Sequence, residues 1–138
     1  MTPQVQLIGK DQVDLVWGIA EPVLALSQRR IARDVGTEDI YVAILAGEIQ
    51  LWVVAIEDKL KAVLVTEVIQ HPRSRILKIM HVAGKDMPMW INEALDTMKR
   101  FAVDLHCDRV SADARLGWVK HAPKHGFKET HRVYEMEL

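Results

Sequence analysis

The stretch RILKIMHVAGKDMPMWINEALDTMKRFAVDLHCDRVSADA, Arg75 to Ala114, changes its hydrophobic period twice. Its opening, RILKIMHVAG, is rich in apolar and β-branched residues and reads as a strand. From Ile91 the apolar positions recur at i, i+3 and i+4: Ile91, Ala94, Leu95, Met98, Phe101, Ala102 and Leu105, with Asn92, Glu93, Asp96, Lys99 and Arg100 facing away. That is the stripe of an amphipathic helix. RVSADA is a strand again, and a strand following a crossover helix should lie parallel to an earlier one. The joint HVAGKDMPMW, His81 to Trp90, is therefore a strand–loop–helix junction. There, free backbone N–H groups and the positive end of a helix dipole point into one space and favour anions. Asp86 is the expected N-cap, and Pro88 is tolerated because it falls in the first turn.

Upstream, IQLWVVAIE and KAVLVTEVIQ precede the RILKIMHVAG run, with only EDK and HPRS between them. Such short links rich in turn formers predict a three-stranded antiparallel meander. A first strand is expected at VQLI, Val5 to Ile8. Asp11 then caps a helix with apolar residues Val13, Val16, Trp17 and Ala20. Pro22 predicts a kink or two helical pieces, the second carrying Val23, Leu24 and Leu26. Thr37 caps a further helix, TEDIYVAILAG, with Glu38 and Asp39 well placed in its first turn. Downstream, LGWVKHAPK reads as a short helix ending at His125-Gly126, and FKETHRVYEMEL as a last strand. The expected fold is α/β. A single domain over residues 1–138 has one mixed, mostly antiparallel sheet of about six strands, with helices on both faces.

The 138 residues are about half apolar and about a quarter charged, with a net charge of −1, so no global charge argues for nucleic acid or an anionic membrane. A lone cysteine, Cys107, excludes an internal disulfide and a cysteine-rich zinc site. MTPQVQLIGKDQ lacks the pattern of a signal peptide, and no apolar run is long enough for a membrane span. A cytoplasmic location is the expectation, and a virus particle assembled in a cytoplasm would look the same.

This order of elements resembles the GNAT (GCN5-related N-acetyltransferase) fold. RLGWVKHAPKHGF, Arg115 to Phe127, is similar to the family's Asn-x-x-Ala-x-x-x-Tyr-x-x-x-Gly-Phe segment, with Gly126 and Phe127 in the Gly-Phe positions. FAVDLHCDRVSADA is similar to the passage into the family's fifth strand. The whole, with its QLWVV strand, looks especially like the small GNAT-like proteins of tailed bacteriophages. Read without the resemblance, Gly126 only ends a helix and Phe127 is only core.

The resemblance implies an acetyl-CoA cofactor and transfer of acetyl to an amine, with self-association or a protein partner as further expectations. The family's pyrophosphate pattern, Arg/Gln-x-x-Gly-x-Gly/Ala, falls on DMPMWI, Asp86 to Ile91, where both glycines are missing. Pro88 removes an amide donor, Trp90 adds bulk and Asp86 adds negative charge. Gly84 and Lys85, just upstream, offer one flexible amide and one cation. A backbone N–H on the fourth strand meets the thioester carbonyl in the family, a role open to Met80, His81 or Val82. The cofactor-binding residues implied are thus Met80, Val82, Ala83, Gly84, Lys85, Asp86 and Trp118.

For proton handling, the family's tyrosine position holds Ala122, and His121 is the neighbouring candidate acid. His81 is the first candidate base and Glu67 the second. The plain alternatives are a solvated His121, a strand-end His81 bonded to backbone, and a solvated Glu67. His121 and His125 have i, i+4 spacing, but Pro123 lies between them and no third ligand joins them, so no metal is expected. Arg29, Arg30 and Arg33 form one basic cluster and Lys120, Lys124, Lys128 and Arg132 another; solvated faces are the default for both. Of the four tryptophans, Trp17 and Trp52 read as core, and Trp90 and Trp118 either fill or line the cofactor entrance. Two functions follow: an acyl-CoA-dependent N-acyltransferase with an atypical loop, or a GNAT-fold protein without catalysis that works by binding.

Overall fold

The computed structural model describes residues 2–28, 34–114 and 120–138. The meander forms as the period-2 runs require: β2 (Gln50–Ile56), β3 (Lys59–Gln70) and β4 (Arg75–Gly84) pair antiparallel. Between β2 and β3, Glu57 and Asp58 take φ of 53° and 64°, the paired left-handed positions of a tight hairpin turn. β1 (Gln4–Ile8) adds antiparallel to β2, and β5 (Arg109–Ala112) adds parallel to β4 through the helix α3 (Ile91–Asp104). The sheet order is β1-β2-β3-β4-β5.

Both faces of this sheet are buried, which is why β2 and β3 are nearly continuous apolar runs rather than alternating ones. On one face α3 brings Ala94, Leu95 and Met98 against Trp52, Leu64, Leu77 and Ile79. The Trp52 and Phe101 rings meet edge to face there, with centroids 5.0 Å apart. On the other face α1 (Val13–Gln28) and α2 (Thr37–Leu45) bring Val13, Leu24, Ile40 and Ile44 against Leu51, Val63 and Val65. Thr66 is buried within the sheet. Its hydroxyl accepts from Trp52 Nε1 and donates to Gln50 Oε1, both at 2.9 Å, so its polarity is satisfied.

Several local expectations change. Pro22 sits inside one uninterrupted helix rather than between two pieces. It is exposed, and residue i−4 is Gly18, which has open space around it, so that carbonyl has room to tilt away from the proline ring. Val13 is preceded by a 3-10 turn at Lys10–Gln12, so Asp11 lies inside a turn instead of capping α1. Gly36, not Thr37, is the N-cap of α2. Asp39 Oδ2 accepts the Gly36 N–H at 2.9 Å, while the Thr37 hydroxyl donates to Glu21 Oε1 and ties α2 to α1. Trp17 is half-buried, its ring 5.2 Å from that of Tyr41.

Five strands form among the described residues, close to the expected count of about six. The segment expected as the last strand has no ladder, and Val133, Tyr134, Met136 and Leu138 are all more than three-quarters exposed. Alternation makes a segment competent for a sheet, but a strand exists only with a partner. The short helix LGWVKHAPK lies partly outside the described residues, and its end is a 3-10 turn at Ala122–His125. Among the described residues, no helix is long and apolar enough to cross a membrane.

Candidate functional site

β4 changes neighbours along its length. Through Ile79 it pairs with β3 on one side and β5 on the other, the last β5 pair being Ile79 with Ala112. From His81 to Gly84 its only strand partner among the described residues is β3. A bulge marks the change: Val65 faces His81 and Thr66 faces Ile79, leaving Met80 as the extra residue. Bulges bend a strand and re-aim its side chains. Here Met80 packs toward the core under α1 and α2, and His81 lines a cavity beside it.

That cavity, of about 490 Å³, lies between α2 and the strands β3 and β4. Asp39, Glu48, Glu67, Met80 and His81 line it, with Ile40 and Ile49. Glu67 and His81, both singled out in the sequence, thus share one space. Burial lowers the His81 pKa below its ordinary value, so the neutral imidazole prevails at neutral pH and is able to accept a proton. Carboxylates near a neutral imidazole suit an incoming ammonium group. In the sequence Asp39 reads only as a first-turn residue of its helix and Glu48 carries no signal, because both reach this space only through the packing of α2 on the sheet.

The loop after β4 is tightly built. Gly84 has a φ of 157° and lies against β3, where a Cβ would stand 2.3 Å from the Lys61 carbonyl oxygen. Only glycine fits. The Lys85 N–H donates to that same oxygen at 3.0 Å. Asp86 is left-handed, with φ of 58°, and caps a 3-10 turn at Met87–Met89; the N-cap of α3 is Trp90, which corrects the role expected of Asp86. The Asp86 carboxylate lies 3.3 Å from Lys61 Nζ. Trp90 is buried in the α3-side core, and its indole N–H donates to the Lys85 carbonyl at 2.7 Å. Trp90 therefore fills and pins the junction. Amides of Met89 and Trp90 are taken up by Asp86 and Met87 carbonyls, and Pro88 has none. At most Asp86 and Met87 remain within the loop, beside the first amides of α3 that every helix leaves without intrahelical partners.

The other candidates fall as follows. Val82 is half-buried against the α3-side core and Ala83 is buried. His121 is exposed on the approach to the 3-10 turn and is not among the residues lining the cavity. Gly126 ends that turn with φ of 86°, and Phe127 packs on the α3-side core. Trp118 and the cluster of Arg29, Arg30 and Arg33 lie outside the described residues. Lys61 was missed in the sequence, although the meander register, with Ala62 opposite Gly84, places it beside the loop.

No protein-family model matches the chain, and no curated protein matches it in sequence. Solved structures do match its shape. A ribosomal-protein-alanine N-acetyltransferase from Brucella melitensis biovar Abortus 2308 superposes with a TM-score of 0.73 at 12% identity, over 99% of both chains. An aminoglycoside acetyltransferase from an uncultured soil metagenomic sample, in complex with sisomicin, gives 0.72 at 12% identity, over 99% of this chain and 95% of that one. A predicted acetyltransferase from Clostridium acetobutylicum, with acetyl-CoA, gives 0.69 at 13% identity, over 99% and 96%. At these identities the likeness is one of architecture alone, and the architecture is the GNAT fold.

Proposed function

We propose that this protein is an acetyl-CoA-dependent N-acetyltransferase with a weakened pyrophosphate grip. The observation that carries the reading is the second half of β4, bulged at Met80 and without a β5 partner, beside a cavity that Glu67 and His81 share. Acetyl-CoA supplies an acyl group activated as a thioester. Backbone donors of His81 to Ala83, beyond the last β5 partner, polarise that carbonyl, a role to which side-chain identity is indifferent. Asp39, Glu48 and Glu67 draw an amine into the cavity, and neutral His81 accepts its proton. Gly84, Lys85 and Asp86 hold the phosphates less firmly than a glycine-rich loop, with Lys61 and Lys85 as cations. His121 and Trp118 remain candidates for the departing thiolate and the pantetheine arm.

A second reading is a GNAT-fold protein without catalysis, for instance a phage accessory or virion component. It is favoured by the amides already engaged within the loop and by Ala122 where relatives place tyrosine. Thermal unfolding with acetyl-CoA, free CoA or ATP separates the two. A ligand at about 100 times its Kd stabilises by roughly 2.7 kcal/mol, a rise of several degrees in Tm. A rise with acetyl-CoA and not ATP supports the transferase, and no rise at millimolar ligand sinks it.

A further inference from the structure

A second cavity, of about 410 Å³, lies between α1 and α2 on the other flank of α2. Asp39, Ile40 and Ala43 of α2 face the first cavity, whereas Thr37, Glu38, Tyr41 and Val42 line this one. The two share no residue. From α1 come Trp17, Gly18 and Glu21. The Trp17 and Tyr41 rings stand 5.2 Å apart and are tilted by 47°, so they form two aromatic walls that meet at an angle. Hydrogen bonds between the helices brace them. The Tyr41 hydroxyl donates to Asp14 Oδ1 at 2.6 Å, and the Thr37 hydroxyl donates to Glu21 Oε1 at 3.1 Å. Donation to Asp14 raises the Tyr41 pKa, so the phenol stays protonated and its ring gains electron density.

Charge on both helices has one sign. The 16 residues of α1 and the 9 of α2 include Asp14, Glu21, Glu38 and Asp39, and no lysine, arginine or histidine. Glu38 is exposed and has no ion-pair partner among the described residues. Gly18 is an independent observation. Glycine weakens a helix interior relative to alanine. Yet a Cβ here would meet nothing within 4 Å, and no positive φ calls for glycine. The Pro22 ring needs room at the Gly18 carbonyl, not at its α-carbon. What the missing side chain leaves is space at the cavity. Aromatic faces attract cations through the ring quadrupole, and the attraction grows as the cation sheds water. We propose that this cleft binds a quaternary ammonium group carried on a small molecule. A primary ammonium needs acceptors for three N–H groups, whereas Asp14 and Glu21 already accept from Tyr41 and Thr37. A quaternary group has no N–H to satisfy and needs only aromatic faces and nearby negative charge.

NMR titration of the full-length chain with choline tests this, beside its neutral isostere 3,3-dimethylbutan-1-ol and ammonium chloride. The expected result is a saturable shift of the Gly18 and Tyr41 backbone amides with choline alone. Trp17→Leu keeps apolar bulk without the π face and should weaken choline about fivefold. Glu38→Gln, at an exposed position, should weaken it about twofold, and added salt should do the same to the wild type. Gly18→Leu should abolish binding while Tm holds or rises, because leucine favours a helix over glycine. That variant separates loss of the site from loss of the fold. No saturable shift up to about 0.1 M choline overturns the proposal. So do equal shifts with the neutral alcohol or with ammonium, shifts centred on His81 instead, or a Gly18→Leu chain that binds as the wild type does.

Discussion

Arg75–Ile79 and Met80–Gly84 belong to the same strand, yet their surroundings differ in kind. The first half has a strand on either side and buries Leu77 and Ile79 under α3. Past the bulge, the second half has β3 as its only strand partner among the described residues, has His81 lining the cavity, and ends at a glycine pressed against Lys61. Backbone groups in the first half have a strand on both sides, whereas one side of the second half has no strand beside it among the described residues. Strand β4 therefore joins a purely structural segment to one that pairing alone does not complete.

The comparison breaks most visibly at His81. If it is the base, His81→Gln should lower turnover about 10²- to 10⁴-fold in an acetyl-transfer assay while the fold persists. In the first half, Leu77→Ala should instead cost about 2–5 kcal/mol of stability in urea unfolding, through the cavity it leaves. The rise in Tm with acetyl-CoA should survive that change, because no ligand contact is touched. Gly84→Ala should do both kinds of damage. Driving a Cβ into the Lys61 carbonyl costs about 2–3 kcal/mol, and the ligand-induced rise should vanish with the loop geometry.

Acid sharpens the contrast more gently. Burial depresses the folded-state pKa of His81, so the unfolded chain takes up the proton first as pH falls below about 6.5. Stability should decline between that point and the lowered folded value, and His81→Gln should remove this part of the decline in denaturation curves measured against pH. The smallest effect is expected at Asp86. Asn tolerates the same left-handed backbone but lacks the charge, so Asp86→Asn should tighten acetyl-CoA by about two- to fivefold and leave Lys61 free for phosphate.

Much of this was legible in the residues themselves. The periods of RILKIMHVAG and of Ile91 to Leu105 led to the meander, the crossover helix and the parallel β5, because strand and helix repeats of 2 and 3.6 are set locally. Absence of the loop glycines was equally plain, as was the choice of His81 and Glu67 as candidates. What only tertiary structure decided is which groups meet. Asp39 and Glu48 join His81 because α2 packs on the sheet, and Trp90 is committed to the core because its indole N–H finds the Lys85 carbonyl. Pro22 stays within one helix because its ring faces solvent above a glycine. Likewise the alternation of VYEMEL makes a strand possible, but a ladder needs a second edge. Hydrophobic period is a property of a segment, whereas pairing and pocket lining belong to whichever surfaces the fold brings together.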